Sequence, residues 1–150
     1  MNALHLNISL IAAFLMLGSA LFSQGGCEID SYDVVIMELK KPKRALDANN
    51  QMQVYNECYI VKLKGKFPPY DAEMMNLTIG DENIREFSAT ESLLYFKIYD
   101  PAILQRLTGK RFRYRFRSRD RVDFGMVFRP NMRKPLPRIK STQLAAYLAE

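Results

Sequence analysis

Only one histidine occurs in the chain, His5, and only two cysteines, Cys27 and Cys58. The histidine lies in a leader segment, so the body of the protein has no imidazole for a Ser-His-Asp triad or for histidine-liganded zinc. Two cysteines without histidine leave a tetrahedral metal site half empty. No pair of carboxylates stands at a defined spacing, which makes a carboxylate-based hydrolase the weakest of the readings left open. The expectation is a non-catalytic protein with no cofactor and no metal. Internal repeats and low-complexity blocks are also lacking.

Lys, Arg, Asp and Glu are absent before Glu28. Residues 6–22 (LNISLIAAFLMLGSALF) form an apolar run that breaks into Ser23, Gln24, Gly25 and Gly26, an h-region followed by a cleavage zone. Asn7 and Ser9 interrupt the run and no basic residue precedes it, which argues against a retained anchor. Residues 1–24 are therefore read as a signal peptide. The remaining chain of about 125 residues is long enough for one domain with its own core. The expected location is secreted or periplasmic.

All 22 basic and 16 acidic residues follow the leader, so the net charge of +6 belongs to the mature protein. That sign favours an anionic partner: a polysaccharide, lipid headgroups or an acidic protein surface. Solubility alone is the competing reading. A Cys27–Cys58 disulfide is the default for two cysteines in an exported chain. Closing a loop of about 30 residues would stabilise the fold by roughly 3–4 kcal/mol on the chain-entropy model. Alternatively Cys27 is the acylated first residue of a lipoprotein, although Gln24 stands where such a signal wants Leu or a small apolar residue. Only in that case is the protein tied to a membrane.

Periodicity predicts a β-rich domain. Residues 32–39 (YDVVIMEL) read as a strand and 40–50 (KKPKRALDANN) as a loop. Residues 54–64 alternate as a half-buried strand, with Tyr59, Val61 and Leu63 on one face and Lys62 and Lys64 on the other, ended by Gly65 and the prolines after it. A hairpin follows, 76–79 and 84–88 about a turn at 80–83. Residues 92–99 form the next strand, with Leu94, Phe96 and Ile98 inward. Asp100 and Pro101 then open a turn of helix to Leu107, and Gly109 stops it. A second hairpin, 111–118 with 121–129, buries its even positions. Residues 130–140 carry three prolines and four basic residues and cannot build a core. Residues 141–150 offer a short helix, marginal unless it packs against something.

About seven short strands at regular spacing predict an all-β fold: a β-sandwich over residues 27–129, with a short helical insert and a basic C-terminal tail, 130–150. The motifs Leu63-Lys64-Gly65-Lys66-Phe67, Leu77-Thr78-Ile79-Gly80 and Ser92-Leu93-Leu94-Tyr95-Phe96, then Pro101 and the paired strands around Tyr114 and Phe128, resemble an immunoglobulin-like module of the IPT/TIG type. The resemblance spans residues 55–128 and departs from the family at the helical insert and in being a single, non-tandem copy. It implies a sandwich used for binding or as a spacer, with no catalytic residues.

The most distinctive local feature is residues 110–121, KRFRYRFRSRDR. On a strand, Arg111, Arg113, Arg115, Arg117 and Arg119 leave one face while the aromatics enter the core. Same-face neighbours stand about 6.6 Å apart. Arginine forks match carboxylates, phosphates and sulfates in pairs, so the row is a candidate cationic ladder for an anionic surface. The competing reading is a solvated face partly neutralised by acids of the next strand such as Asp123. Nucleic acid is disfavoured, because single-strand binders expose aromatics beside their cations and here the aromatics turn inward. Tyr95 and Tyr99 form a lesser candidate patch, Asn76-Leu77-Thr78 is a glycosylation acceptor if the source is eukaryotic, and the acidic pairs Asp71-Glu73 and Asp81-Glu82 read as solvated turns.

Overall fold

Leu94, Phe96 and Ile98 are buried while Leu93, Tyr95 and Lys97 between them are half-buried, so the alternation of this strand decides which face meets the core. The computed structural model describes residues 28–67, 74–116, 122–130 and 135–150. These form strands β1 (Glu28–Leu46), β2 (Met52–Lys66), β3 (Met74–Ile79), β4 (Glu82–Ile84), β5 (Phe87–Ala89), β6 (Leu93–Ile98), β7 (Arg111–Phe116), β8 (Val122–Val127) and β9 (Arg138–Lys140). Two short helices, α1 (Pro101–Leu107) and α2 (Leu144–Ala149), complete the set, the second after a 3-10 turn at Ser141–Gln143. The fold is an all-β sandwich of two sheets, ordered β5-β6-β2-β1-β9 and β4-β3-β7-β8. Every strand pair is antiparallel except β9 with β1.

The main core lies between the sheets, with Val34, Val61, Leu63, Leu94 and Phe96 from one and Leu77, Ile79, Ile84 and Phe112 from the other. At its centre Phe96, Phe112 and Phe128 meet pairwise, with ring centroids 5.6–6.5 Å apart. Tilted and edge-to-face contacts of this kind add roughly 0.5–1.5 kcal/mol per pair beyond the area they bury. Leu104 and Leu107 of α1 close one end of this core. As predicted, α1 is capped by the Asp100 carboxylate, which accepts from the Ala102 N–H at 2.9 Å, with Pro101 at the first helical position. Gly109, at φ +86°, takes the left-handed turn that follows.

Several expectations need correction. Residues 40–46 are not loop, since β1 runs on to Leu46. Between the pairs Glu38↔Glu57 and Lys43↔Tyr55, four residues of β1 oppose one of β2. This bulge absorbs Pro42, which has no N–H to give a ladder, and lets the hairpin continue beyond it. The loop proper is the turn around Asp47–Gln51, where Asn50 has φ +61° and the Asp47 carboxylate accepts from the N–H groups of Asn49 and Gln51 at 2.8 and 2.9 Å. Gly65 does not end β2; it sits inside the ladder at a second bulge, and a Cβ there would lie 1.8 Å from the Glu28 carbonyl oxygen, so only glycine permits the crossing. Residues 84–88 are not one returning strand. β4 pairs with β3, the chain then changes sheets across Arg85 and Glu86, and β5 pairs with β6.

The middle of β1 and β2 is covered on both faces of its sheet. Val35, Met37, Cys58 and Ile60 form a second cluster on its outer side, covered by Tyr147 with Leu144 and Leu148 of α2 alongside. The marginal helix of the sequence thus has its packing surface in its own domain. Lys62, expected on a solvated face, is only 5% exposed beneath the same helix.

The Cys27–Cys58 bridge is a further correction. Cys58 is a free thiol, fully buried in the outer cluster and turned away from the space between the sheets. Cys27 lies outside the described residues. The ladder pairs Glu28 with Lys66, eight residues along β2 from Cys58 and hence about 26 Å away at 3.3 Å per residue. A disulfide needs Cα atoms within about 7 Å, and one peptide step of about 3.8 Å from Glu28 does not close that gap. Burial pushes the Cys58 thiol up to about 11, so it is held protonated.

Candidate functional site

Two surfaces carry the charged side chains of interest. The first is the outer face of sheet β4-β3-β7-β8. Phe112 of β7 enters the core at 1% exposure, which sends its odd-numbered neighbours outward. Arg111 is exposed and Arg113 half-buried. Arg115 follows at the same parity in β7, opposite Asn76 of β3, while Arg113 stands opposite Thr78 of β3 and Asp123 of β8. Directly opposed residues share a face, so Asp123 is the acid nearest in register to the arginine row. Arg117 and Arg119 lie outside the described residues, as do Asp71 and Glu73. The structure therefore places Arg111 and Arg113 on one strand face, with Thr78 beside Arg113 in register. The potential glycosylation triplet Asn76-Leu77-Thr78 lies within β3, with Leu77 fully buried.

The second surface was not singled out from the sequence. Past its bulge the β1–β2 hairpin reaches α1, where the Ala48 N–H donates to Asp100 Oδ2 at 2.7 Å and Arg106 donates to the Ala48 carbonyl at 3.2 Å. Beneath this arm lies a cleft of about 470 Å³, walled by residues 43–47 of β1 and the turn, by residues 82–86, and by the end of β6 with Ile103 of α1. Arg106 also donates to Glu82 at 2.7 Å, so one guanidinium ties the arm, α1 and β4 together. Tyr99, one of the two tyrosines marked in the sequence, lines the cleft. Its hydroxyl donates to the Glu86 carboxylate at 2.9 Å, and its ring lies 6.0 Å from that of Tyr55. Burial, then the bond to Glu86, holds the Tyr99 hydroxyl protonated well above the ordinary tyrosine range. Tyr95 sits apart from it, opposite Lys62. Glu82 of the Asp81-Glu82 pair is thus an ion-pair partner rather than a solvated turn residue.

The basic tail is engaged within the domain where it is described. Arg138 donates to Glu57 at 2.7 Å as β9 joins β1, and Pro130 is buried. Among the described residues, no group of three or more His, Cys, Asp or Glu side chains is placed to hold a metal ion, and no helix is long and apolar enough to cross a membrane. No family model, curated protein or solved structure matches the chain.

The cleft had one legible trace in the sequence, the polar arm itself. Which residues would face it depended on the bulge at residues 39–42 and on the sheet change at 85–86, and neither leaves a periodic signal.

Proposed function

We propose that the protein is a secreted or periplasmic, non-catalytic binding module of immunoglobulin-like topology that engages an anionic surface through the arginine face of β7. The carrying observation is that Arg111 and Arg113 flank the inward Phe112 on the outward face of one sheet, whereas the outward face of the other sheet is occupied by α2. Alternate residues about 6.6 Å apart on a strand suit a repeating row of sulfates, carboxylates or phosphates. The immunoglobulin-like reading draws support from strand order. With β1 to β8 taken as A, B, C, C′, D, E, F and G, the sheets run D-E-B-A and C′-C-F-G, with α1 in the E–F connection and β9 added beside A. The leader of residues 1–24 supports export, and a lipid on Cys27 is the variant of that reading that would hold the module at a membrane.

The alternative, an accessory subunit of an envelope assembly that docks through its tail, is less favoured. Leu144, Tyr147 and Leu148 already pack on the protein's own sheet. The test is binding to a sulfated polysaccharide column and to anionic vesicles at rising salt. Arg111→Glu with Arg113→Glu should weaken retention at least about 10-fold and flatten its salt dependence, since each lost cation removes a screened contact. Unchanged retention in a folded double variant would reject the arginine face as the contact surface.

A further inference from the structure

The cleft under the β1–β2 arm is lined by four cationic residues, Lys43, Arg44, Arg85 and Lys97, and by three acidic ones, Asp47, Glu82 and Glu86. All three carboxylates are already engaged. Asp47 accepts from its own turn and from the Gln53 side chain, Glu82 pairs with Arg106 at 2.7 Å, and Glu86 takes Lys43 at 3.4 Å and the Tyr99 hydroxyl. Arg44, Arg85 and Lys97 are left without a carboxylate partner among the described residues. Between these cations the wall is apolar, with Ile98, Tyr99, Ile103 and the 54%-exposed Met52. A volume of about 470 Å³ falls in the ordinary range of small-ligand sites, about 300–1,000 Å³.

We infer that this cleft binds a small organic anion, with its oxyanion head held by Arg44, Arg85 and Lys97 and its apolar body against Tyr99, Ile103 and Met52. Two guanidinium groups can each grip an oxyanion through paired N–H donors, and the lysine adds a compact third charge. The acids of the cleft do not repel such a ligand, because their charge is balanced by Lys43 and Arg106 and by hydrogen bonds. The site is also held open in advance. Asp100 and Arg106 fix the arm at Ala48, so little ordering opposes binding. None of these residues belongs to the β7 arginine face, so the cleft and that face stand or fall separately.

The experiment is a titration of the isotope-labelled full chain with phenyl phosphate, benzoate and inorganic phosphate, following backbone amide shifts. Saturable shifts within residues 43–52, 82–86 and 97–103 are expected, with phenyl phosphate at least about 10-fold tighter than inorganic phosphate because its ring is removed from water. Arg85→Ala should weaken phenyl phosphate about 10-fold or more, and Arg111→Glu should leave it unchanged. Arg44 and Arg85 are exposed, so their substitution leaves the core intact. Four results would overturn the inference: no saturable shift in those segments, shifts centred instead on residues 76–78 and 111–115, phenyl phosphate binding no tighter than phosphate, or equal affinity in a natively dispersed Arg44→Ala, Arg85→Ala, Lys97→Met triple variant. Comparing benzoate with phenyl phosphate then tells a carboxylate ligand from a phosphate one.

Discussion

The Lys62 ammonium lies 4.0 Å from the centroid of the Tyr147 ring and donates to the Tyr147 carbonyl oxygen at 2.8 Å. The Tyr147 hydroxyl in turn donates to Asp33 at 2.7 Å, and Asp33 is the cross-strand neighbour of Lys62. Lys64 adds a bond to the Glu150 carbonyl. One lysine, one ring and one carboxylate thus fasten α2 to the sheet and supply partners for a charge that would otherwise be costly to bury.

Tyr147→Ala should therefore be among the most damaging single changes in the C-terminal segment. It removes a buried ring, uncovers Met37, Cys58 and Ile60, and strips the cation–π partner from Lys62. We expect a loss of about 3 kcal/mol, and about 1 kcal/mol for Tyr147→Phe, which keeps the ring and loses only the bond to Asp33. Urea unfolding measures both. Near-equal costs would mean that the hydroxyl, not the ring, fastens the helix.

The free Cys58 thiol predicts indifference to reductant. Thermal unfolding with and without a reducing agent should give the same midpoint, and Cys58 should react with a thiol reagent only once the chain is unfolded. A midpoint that drops by several degrees on reduction would instead require Cys58 to be bridged.

Alkaline pH should destabilise the fold. Cys58, raised from 9.0 to about 11, and Tyr99 and Tyr147, both raised by burial and by hydrogen bonds to carboxylates, hold their protons more tightly folded than unfolded. Their contribution is complete below the unfolded pKa values and is lost as pH climbs through the folded ones. Lys62 acts in the opposite sense. Burial, then the neighbouring Lys64, depresses its ammonium, so its deprotonation relieves a cost as pH approaches 10.5. Three groups outweigh one, and unfolding free energy measured from pH 7 to 11 should fall above pH 9 by roughly 2 kcal/mol or more. Cys58→Ala should remove part of that slope, and a level profile would contradict the burial of these groups.

Asp100 caps α1 and also receives the Ala48 N–H, so Asp100→Ala should both destabilise the helix and free the hairpin arm. The expected cost is roughly 2 kcal/mol, a cap plus one charge-assisted bond. Amide exchange should quicken at residues 47–51 more than in the sheets. Uniform quickening everywhere would show that Asp100 supports the global fold rather than the arm.

Much of this was legible in the chain. The alternation at Leu94, Phe96 and Ile98, the Asp100-Pro101 helix start and the inward Phe112 of β7 follow from periods of 2 and 3.6 and from capping chemistry, which are local. Residues 28–46 and 141–150 were less so. A polar run such as 40–46 reads as loop unless a partner strand is known, and a ten-residue helix has no standing until a surface exists for it.

By itself the sequence determined the class of the fold, the number of charges and where the turns could fall, because propensity, patterning and glycine or proline geometry act over a few residues. Only the tertiary structure decided that Lys62 is covered, that Cys58 is out of reach of the start of β1, and that Arg44, Arg85 and Lys97 line one cleft. Those outcomes rest on strand register, on bulges and on a sheet change, which bring together residues some 40 to 115 positions apart, and no local pattern encodes such distances.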